Sequence, residues 1–321
     1  MSPWPKLNFD AWSKSTYLVH RWLQIVGKYR LAATPWVNHS WHATFYVTPH
    51  GLTTGPIHID GNAIEWRFDF QRHLLVGTSS AIDSPVELVL REGSVRDFHA
   101  GFQEVAEQLK APVAIHGSPN EVPDPIRFAD DTEDRPYDRR EMEALHRAWI
   151  DIDRVFHRFR TGFMGKVSPV HLFWGSFDLA VTRFSGRTAP VHPGGFPALP
   201  DSVTRDAYSH EVSSAGFWAG GGGIDEACFY CYAYPTPKGF GDVSVEPEAA
   251  HYHKELGEFV LTYEAVRTSP DPDEALLAFL HTTWRAASEL GGWPIDSLEC
   301  EIGEVGLPPA HHREKSTDVT D

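Results

Sequence analysis

The chain has 321 residues, 41% of which are hydrophobic, and it carries a formal net charge of −16. This length predicts one large domain or two closely packed halves. The acidic surface repels phosphate backbones, so nucleic acid is not expected as a partner. No apolar run approaches the roughly 20 residues that span a bilayer, and the start MSPWPKLNF lacks the pattern of a signal peptide. Because only three cysteines occur, we expect a cytoplasmic protein that does not bind membranes.

Residues 1–117 are predicted to form a first unit of helices and strands, because helical spacing and strict alternation of apolar residues follow each other along this part of the chain. The predicted elements are a helix (11–28), strands (41–49, 63–70 and the runs HLLVGTS and VELVLRE), a helix capped by Ser94, and a short closing strand (112–117).

Residues 118–137 are rich in proline and acidic residues, and we expect them to form a surface linker without a long helix or strand. A second unit is predicted over 138–305, and a disordered tail over 306–321. The elements of the second unit are a helix capped by Asp138, two strands in 165–186, the strand-like runs SHEVSSAGFW, ACFYCYAYP and EFVLTYEAVR, a helix (273–290) and a closing strand (297–303).

The two units follow one another in the same order of elements. In each unit a helix precedes an aromatic strand, and a histidine stands directly before that strand: His42 before ATFYV and His171 before LFWG. We therefore predict an α+β fold made of internally duplicated α-β(4-5)-α-β units. Its sheets are expected to be mostly antiparallel with flanking helices, and the two histidines should occupy equivalent positions beside a cleft between the units.

Several long runs resemble a family of bacterial proteins that is known only as a domain of unknown function. The resemblance extends from about Trp4 to Trp293. It implies no established reaction and no assigned catalytic residue, so the chemistry is weighed from the residues themselves. The runs that carry it are QIVGKYRLA, NHSWHATFYVTPHGLTT, SPVHLFWGSFDLAVTRFSGR, YSHEVSSAGFWAGGGG and ELGEFVLTYEAVR.

Histidines and carboxylates supply the candidate catalytic groups. In NHSWH, the strand reading sends His39 and His42 to opposite faces, so His42 alone is expected to point into the cleft. The alternative is that one of these two histidines is buried with a hydrogen bond and the other is exposed. The predicted catalytic residues are His42, His171, His210 and Glu211.

A divalent metal, iron or zinc, is a further expectation because two histidines and a carboxylate suit non-haem iron. Its predicted ligands are His42, His171, His253 and Glu255. Cys228 and Cys231 are not expected to bind zinc, since residues three apart on a strand point to opposite faces.

Aromatic and cationic residues next to the strands are predicted to bind the substrate. Arg183 and Lys166 could clamp an anionic group, or Arg183 could form a structural ion pair with Asp178. The run Gly220–Gly223 is either a hairpin turn or a lid. The predicted substrate-binding residues are Lys28, Trp41, Lys166, Trp174, Arg183, Phe217 and Trp218.

Together these residues favour an enzyme that acts on a small organic molecule in a cleft lined by histidines and aromatic side chains, either with a metal or by metal-free acid–base chemistry. Two alternatives use the same residues: a protein that binds a small molecule without turnover, and a structural subunit whose exposed aromatic residues meet a partner chain.

Overall fold

The chain forms two antiparallel sheets flanked by helices, which confirms the predicted α+β class. The computed structural model describes residues 4–221 and 224–304. The elements in chain order are α1 (Phe9–Ala33), β1 (Tyr46–Thr48), β2 (Gly51–Thr53), β3 (Ile57–Ile59), β4 (Asn62–Asp69), β5 (Leu74–Ser79), β6 (Ile82–Val89), α2 (Val95–Gln108), α3 (Arg139–Thr161), β7 (His171–Phe173), β8 (Asp178–Thr188), α4 (Asp201–Ala207), β9 (His210–Trp218), β10 (Cys228–Tyr234), β11 (His251–His253), β12 (Glu258–Thr262), α5 (Tyr263–Arg267), α6 (Pro272–Leu290) and α7 (Ile295–Leu298).

The N-terminal sheet has the order β1-β2-β4-β5-β6, with β3 beside β4. The alternation of β4 turns Ile64, Trp66 and Phe68 to one face, where all three are buried. On this face Trp66 packs against Phe102 of α2 at a ring distance of 4.8 Å and against Tyr29 of α1 at 5.8 Å. The helices α1 and α2 therefore cover the apolar face of this sheet.

The C-terminal sheet has the order β11-β12-β10-β9-β8-β7. One of its faces is covered by α3 and α6. On this face the guanidinium of Arg183 lies between three aromatic rings, those of Phe159 at 3.5 Å, Trp284 at 4.5 Å and Phe163 at 5.0 Å. We call this the helix face of the sheet and the opposite one its polar face.

The two sheets meet at their edge strands. Two backbone hydrogen bonds link Phe45 and Leu172, one from Phe45 N to Leu172 O at 3.0 Å and one from Leu172 N to Phe45 O at 2.8 Å. Both side chains are fully buried. Residues from both halves contribute to a single hydrophobic core. This core does not separate the two predicted units, and the boundaries at 117 and 138 stay predictions.

The structure does not confirm the internal duplication. Both halves begin with a long helix and an antiparallel run of strands. In the second sheet, however, the last strand, β12, lies between β10 and β11, whereas the last strand of the first sheet, β6, lies at its edge. The two expected closing strands are wrong: 112–117 contains no strand, and Ile295–Leu298 is a short helix. Proline at 112 and proline at 294 limit the backbone hydrogen bonding available to each segment.

The strand predicted over 41–49 is much shorter than expected. Asn38–Ser40 forms a turn of 3-10 helix, and only Tyr46–Thr48 is a strand. His39 and Ser40 have φ angles of 59° and 56°, in the left-handed region that a strand does not use. The alternation expected for His39 and His42 therefore does not apply.

Residues 118–137 contain no helix or strand but are not confined to the surface, since Phe128 is fully buried. In the described part of the chain, no helix is both long enough and apolar enough to cross a membrane. The predicted tail, 306–321, lies outside the described residues.

Gly27 permits α1 to approach the loop after β7. A Cβ at this position would overlap the indole of Trp174, which is fixed by its donation from Nε1 to Ala43 O at 2.7 Å. We expect Gly27→Ala to lower the free energy of unfolding by about 1–3 kcal/mol in urea titrations, because the overlap outweighs the higher helix propensity of alanine.

The matched control is Gly117→Ala, where a Cβ would make only ordinary contact with Arg127. It should change the free energy of unfolding by no more than about 0.5 kcal/mol. A Gly27→Ala protein as stable as the wild type would show that the close approach is not required.

Candidate functional site

The polar face of the C-terminal sheet carries a patch of hydrogen-bonding side chains. The strand register places Thr182 opposite Ser214 and Ser214 opposite Tyr232. Ala180 and Gly216 form the neighbouring pair and leave space at the centre of the face. The residues that define the patch are Asp178, Thr182, Ser214, Tyr230, Tyr232 and Glu258.

Asp178 is the buried carboxyl group of this patch. Its Oδ1 accepts a hydrogen bond from Ser176 Oγ at 2.6 Å, and its Oδ2 accepts one from the hydroxyl of Tyr230. The phenol ring reaches Asp178 by lying across Gly216, where a Cβ would overlap its hydroxyl. Burial raises the pKa of Asp178, and the two hydrogen bonds oppose this rise.

Glu121 brings a second carboxyl group to the same place. Its carboxylate rests on Gly175, where a Cβ would overlap it. The hydroxyl of Ser176 lies near this carboxyl group and favours its ionised form. Burial, and then the nearby charge of Asp178, raise the pKa of Glu121 to about 7. The group is therefore divided between its protonated and ionised forms at neutral pH.

Lys28 supplies a cation next to Glu121. It is buried, its Nζ donates to Asn120 Oδ1, and it lies 5.5 Å from the centre of the Trp174 ring. Burial lowers the pKa of Lys28 to about 8, and the charge of Glu121 opposes this change. Such opposed shifts in neighbouring groups are frequent at catalytic sites.

The loop that carries Glu121 is held tightly between α1 and a second loop. The amide of Gln24 pairs with the backbone of Asn120, donating from Nε2 to Asn120 O at 2.8 Å and accepting from Asn120 N at 2.7 Å. On the other side Glu121 N donates to Pro197 O at 3.1 Å. These bonds hold Glu121 at a φ of 57°, an uncommon value for a residue other than glycine.

His20, one turn before Gln24, fixes the turn between β7 and β8. Its Nε2 lies 2.9 Å from Trp174 O and 2.8 Å from Gly175 O, so this nitrogen carries the proton that both carbonyls share. Burial lowers the pKa of His20 to about 4, and the charge of Arg21 adds to this. The ring is therefore neutral and acts as a structural support of the site.

The other end of the patch is aromatic. The hydroxyls of Tyr208 and Tyr232 are 2.9 Å apart, and the ring of His192 stacks on Tyr208 at 4.6 Å. Burial raises the pKa of Tyr208 to about 12, and burial followed by the charge of Asp178 raises the pKa of Glu258 to about 7. Burial raises the pKa of Tyr232 as well, so both tyrosines keep their protons at neutral pH. One hydroxyl of the pair donates to the other, which leaves one hydroxyl proton that can be donated to a ligand.

We call this region the polar cleft, defined by Lys28, Glu121, Asp178, Tyr208, Tyr230, Tyr232 and Glu258. Glu121, the three tyrosines and Glu258 retain partial solvent contact. Burial nevertheless dominates the pKa shifts of Glu121, Tyr230 and Glu258. The arrangement can exchange protons with a small molecule and hydrogen-bond to it.

Another depression, of about 630 Å³, lies between β6, α2 and residues 134–136. It is wide open, and of its two arginines, Arg91 and Arg135, the second is paired with Asp131 at 2.7 Å and Glu133 at 3.0 Å. It is lined by none of the residues predicted from the sequence. We therefore place the candidate site in the polar cleft.

Of the residues predicted to bind substrate, Lys28 lies in the polar cleft, with Trp174 packed against it. Trp218 is on the polar face, next to Asp178 in the register. The prediction that Phe217 and Arg183 bind the substrate is wrong. Strand alternation turns both side chains to the helix face, where both are fully buried. The ion pair proposed between Asp178 and Arg183 is also wrong, since five residues separate them on one strand and place them on opposite faces.

Trp41 and Lys166 meet outside the polar cleft. Lys166 Nζ lies 5.2 Å from the ring of Trp41 and 5.3 Å from that of Phe184. Within the run Gly220–Gly223, Gly221 forms a bridge with Ile224, as in a turn, and Gly222 and Gly223 lie outside the described residues.

The four predicted catalytic residues are not brought together. His42 Nδ1 accepts from Val37 N at 3.1 Å, and its ring packs on Trp36. The ring of His171 packs on Phe173 instead, and within the described residues no contact joins the two histidines. Because the NHSWH segment forms a turn and not a strand, it does not place His42 beside His171 as expected.

His210 and Glu211 diverge because they are neighbours on a strand. His210 contacts Ser209 Oγ at 3.1 Å, whereas Glu211 accepts from Arg187 Nη2 at 2.6 Å and from Ser185 Oγ at 2.8 Å. Arg187 also donates to the carbonyl of Gly291 at the end of α6. Glu211 therefore has a structural role that ties the sheet to this helix.

The predicted metal ligands are also far apart. His171 and His253 lie on opposite edge strands of a six-stranded sheet, so five strand spacings of about 4.8 Å put roughly 24 Å between them. Glu255 is exposed in the hairpin after β11. Over residues 4–221 and 224–304, no group of three histidine, cysteine or acidic side chains is arranged to hold a metal ion. The cysteines of ACFYC point to opposite faces, and both are free.

Sequence reasoning missed Glu121, Tyr208, Tyr230, Tyr232 and Glu258. The alternation of FYCYAY signals that its three tyrosines share one face of a strand. No local signal marks Glu121, which lies in a segment expected to be a linker and reaches the site only through the fold.

The bond from Tyr230 to Asp178 should be important for stability. Tyr230→Phe leaves a buried carboxyl group without one of its two donors, so we expect it to lower the free energy of unfolding by about 1–3 kcal/mol. The matched control, Tyr234→Phe, lies on the same strand and face but donates only to Pro190 O near the surface. Equal losses in urea titrations of the two variants would contradict this role for Asp178.

Comparison with known proteins agrees with the resemblance noted in the sequence. No curated protein and no solved structure matches the chain. The model of a family of unknown function, DUF5996, matches residues 4–300. This match covers almost the entire length of the chain, which therefore belongs to the DUF5996 family.

Proposed function

We propose that the protein is a cytoplasmic enzyme that acts on a small organic substrate in the polar cleft by general acid–base catalysis. The observation that carries the proposal is a pair of carboxyl groups beside Ser176. Ser176 and Tyr230 donate to Asp178, and the carboxylate of Glu121 lies against the neighbouring Gly175. Glu121 and Tyr230 keep partial solvent contact, so a substrate can reach this group.

Glu121 is the proposed acid–base residue. An ideal catalytic acid or base has a pKa near the working pH, and the pKa of Glu121, about 7, meets this condition. Lys28 is close enough to favour the ionised form of Glu121 once the proton has left. The same cation would stabilise negative charge that develops on a substrate atom nearby.

The tyrosine hydroxyls are proposed to orient the substrate. Tyr208 and Tyr232 form a hydrogen-bonded pair beside the acidic groups, and their rings provide an apolar wall. A ligand with both a polar group and an apolar body suits such a surface. Lys28 of α1 lies next to Trp174 in the turn after β7, so residues of both halves contribute to the polar cleft, which supports a site between the halves.

A substrate screen tests this proposal. A panel of small metabolites is incubated with the full chain, binding is detected by a thermal shift, and consumption is followed by mass spectrometry. For a compound that is consumed, Glu121→Gln should reduce turnover by roughly 100-fold or more while the compound still binds. Glu255→Gln, an exposed carboxylate replaced in the same way, should leave turnover unchanged.

Two results would oppose the proposal. Turnover by Glu121→Gln at the wild-type rate would remove Glu121 from the chemistry. Compounds that bind in the cleft, as judged by weaker binding to Tyr232→Phe, but are never consumed would indicate a binding protein without turnover.

A further inference from the structure

A second group of side chains, outside the polar cleft, contains buried nitrogen atoms without hydrogen-bond partners. His171 is fully buried, and neither of its ring nitrogens has a partner. Arg30 is 8% exposed, and its Nε and Nη1 lack partners. An unpaired buried polar group is destabilising, more so when it is charged, so each of these nitrogens calls for an explanation.

Arg30 and His171 lie on the same side of the junction between the sheets. The antiparallel bridge between Phe45 and Leu172 places the next residue of β1, Tyr46, opposite His171. Side chains opposite each other on adjacent strands point to one face. The guanidinium of Arg30 lies 5.6 Å from the centre of the Tyr46 ring, so it reaches this same face.

The surroundings of His171 are cationic. Burial, with smaller effects of the charges of Arg30, Arg160 and His39, lowers the pKa of His171 to about 3. His39 is buried, and its Nε2 lacks a partner, as does Nε of Arg160. Burial also lowers the pKa of His39, so both imidazoles are neutral at pH 7. The cations near His171 are therefore Arg30 and Arg160, and each has a guanidinium nitrogen without a partner.

We propose that Arg30 and His171, flanked by His39, bind a small oxyanion, a phosphate or a carboxylate, at the junction of the two sheets. Two free donors of a guanidinium match two oxygens of such an ion, and a neutral imidazole donates a further hydrogen bond. The negative charge would compensate the cations. This site rests on the unpaired nitrogens alone and does not depend on the proposed acid–base function.

Binding of inorganic phosphate and of acetate to the full chain tests the proposal. Thermal unfolding is followed at pH 7 with either anion, and sodium chloride keeps the ionic strength constant. A ligand that binds only the folded state raises the melting temperature. We expect one of the two anions to raise it above the chloride value, and the effective anion identifies the class of ligand.

Variants locate the site. His171→Phe fills the same buried space without nitrogen atoms, and Arg30→Lys keeps the charge but loses the planar pair of donors. Each should weaken the affinity, measured by calorimetry, roughly tenfold or more. The control is Arg96→Gln, which removes an exposed arginine of α2 and should bind as the wild type does.

The proposal is wrong if neither anion raises the melting temperature of the wild type above that in chloride. It is also wrong if a folded His171→Phe protein binds the anion with wild-type affinity. In either case, the unpaired nitrogens would belong to a structural region whose cost is offset by packing alone.

Discussion

Two backbone hydrogen bonds between Phe45 and Leu172 determine how the halves of the molecule meet. Each bond joins the edge strand of one sheet to the edge strand of the other. This bridge covers part of the edge of each sheet, which leaves less of it open to pair with another chain. The pairing also brings α1 against the turn after β7, so that Lys28 contacts Trp174. The polar cleft depends on this arrangement, since neither half contains all of its residues.

The carboxyl groups of the polar cleft are buried, and burying their charged form is unfavourable. A buried charge without a partner is strongly unfavourable, and the cost falls when the group is hydrogen-bonded or protonated. Both responses are present: Asp178 has two hydrogen-bond donors, and the pKa of Glu121 is raised to about 7. The strained backbone of Glu121 adds to the cost and is held by the bonds of its loop to Gln24 and Pro197. Such expense in stability is typical of sites that serve a function.

The sequence predicts the class of fold and most elements well, because helical and alternating patterns are local properties. Strand β4 and helix α3 begin and end close to the predicted residues. The turn in NHSWH is not predicted from the sequence, because its two residues with a left-handed backbone, His39 and Ser40, are not glycines, the usual signal for such a turn. The alternation rule, applied to β8 and β9, would have placed Arg183 and Phe217 away from Asp178.

The candidate site was predicted only in part for a different reason. Lys28 is predicted from the sequence because it is a charged residue next to an apolar strand, where charges are usually paired or functional. Glu121 has no such context, since its environment is created by residues more than 50 positions away, such as Gly175 and Pro197. Local patterns do not specify which distant loops will cover a sheet. The histidines predicted as site residues lie outside the polar cleft, and most of them contact backbone atoms or aromatic rings.

The most direct test of the central claim, that the polar cleft is an acid–base site, is the titration of Glu121 by carbon NMR. The protein is labelled with ¹³C at its glutamate carboxyl carbons, and the signal of Glu121 is assigned by its loss in Glu121→Gln. The account predicts a titration midpoint at about 7 in the wild type, and a higher midpoint in Lys28→Met, which lacks the neighbouring cation. A midpoint close to the ordinary glutamate value of about 4.3, unchanged in Lys28→Met, would contradict it.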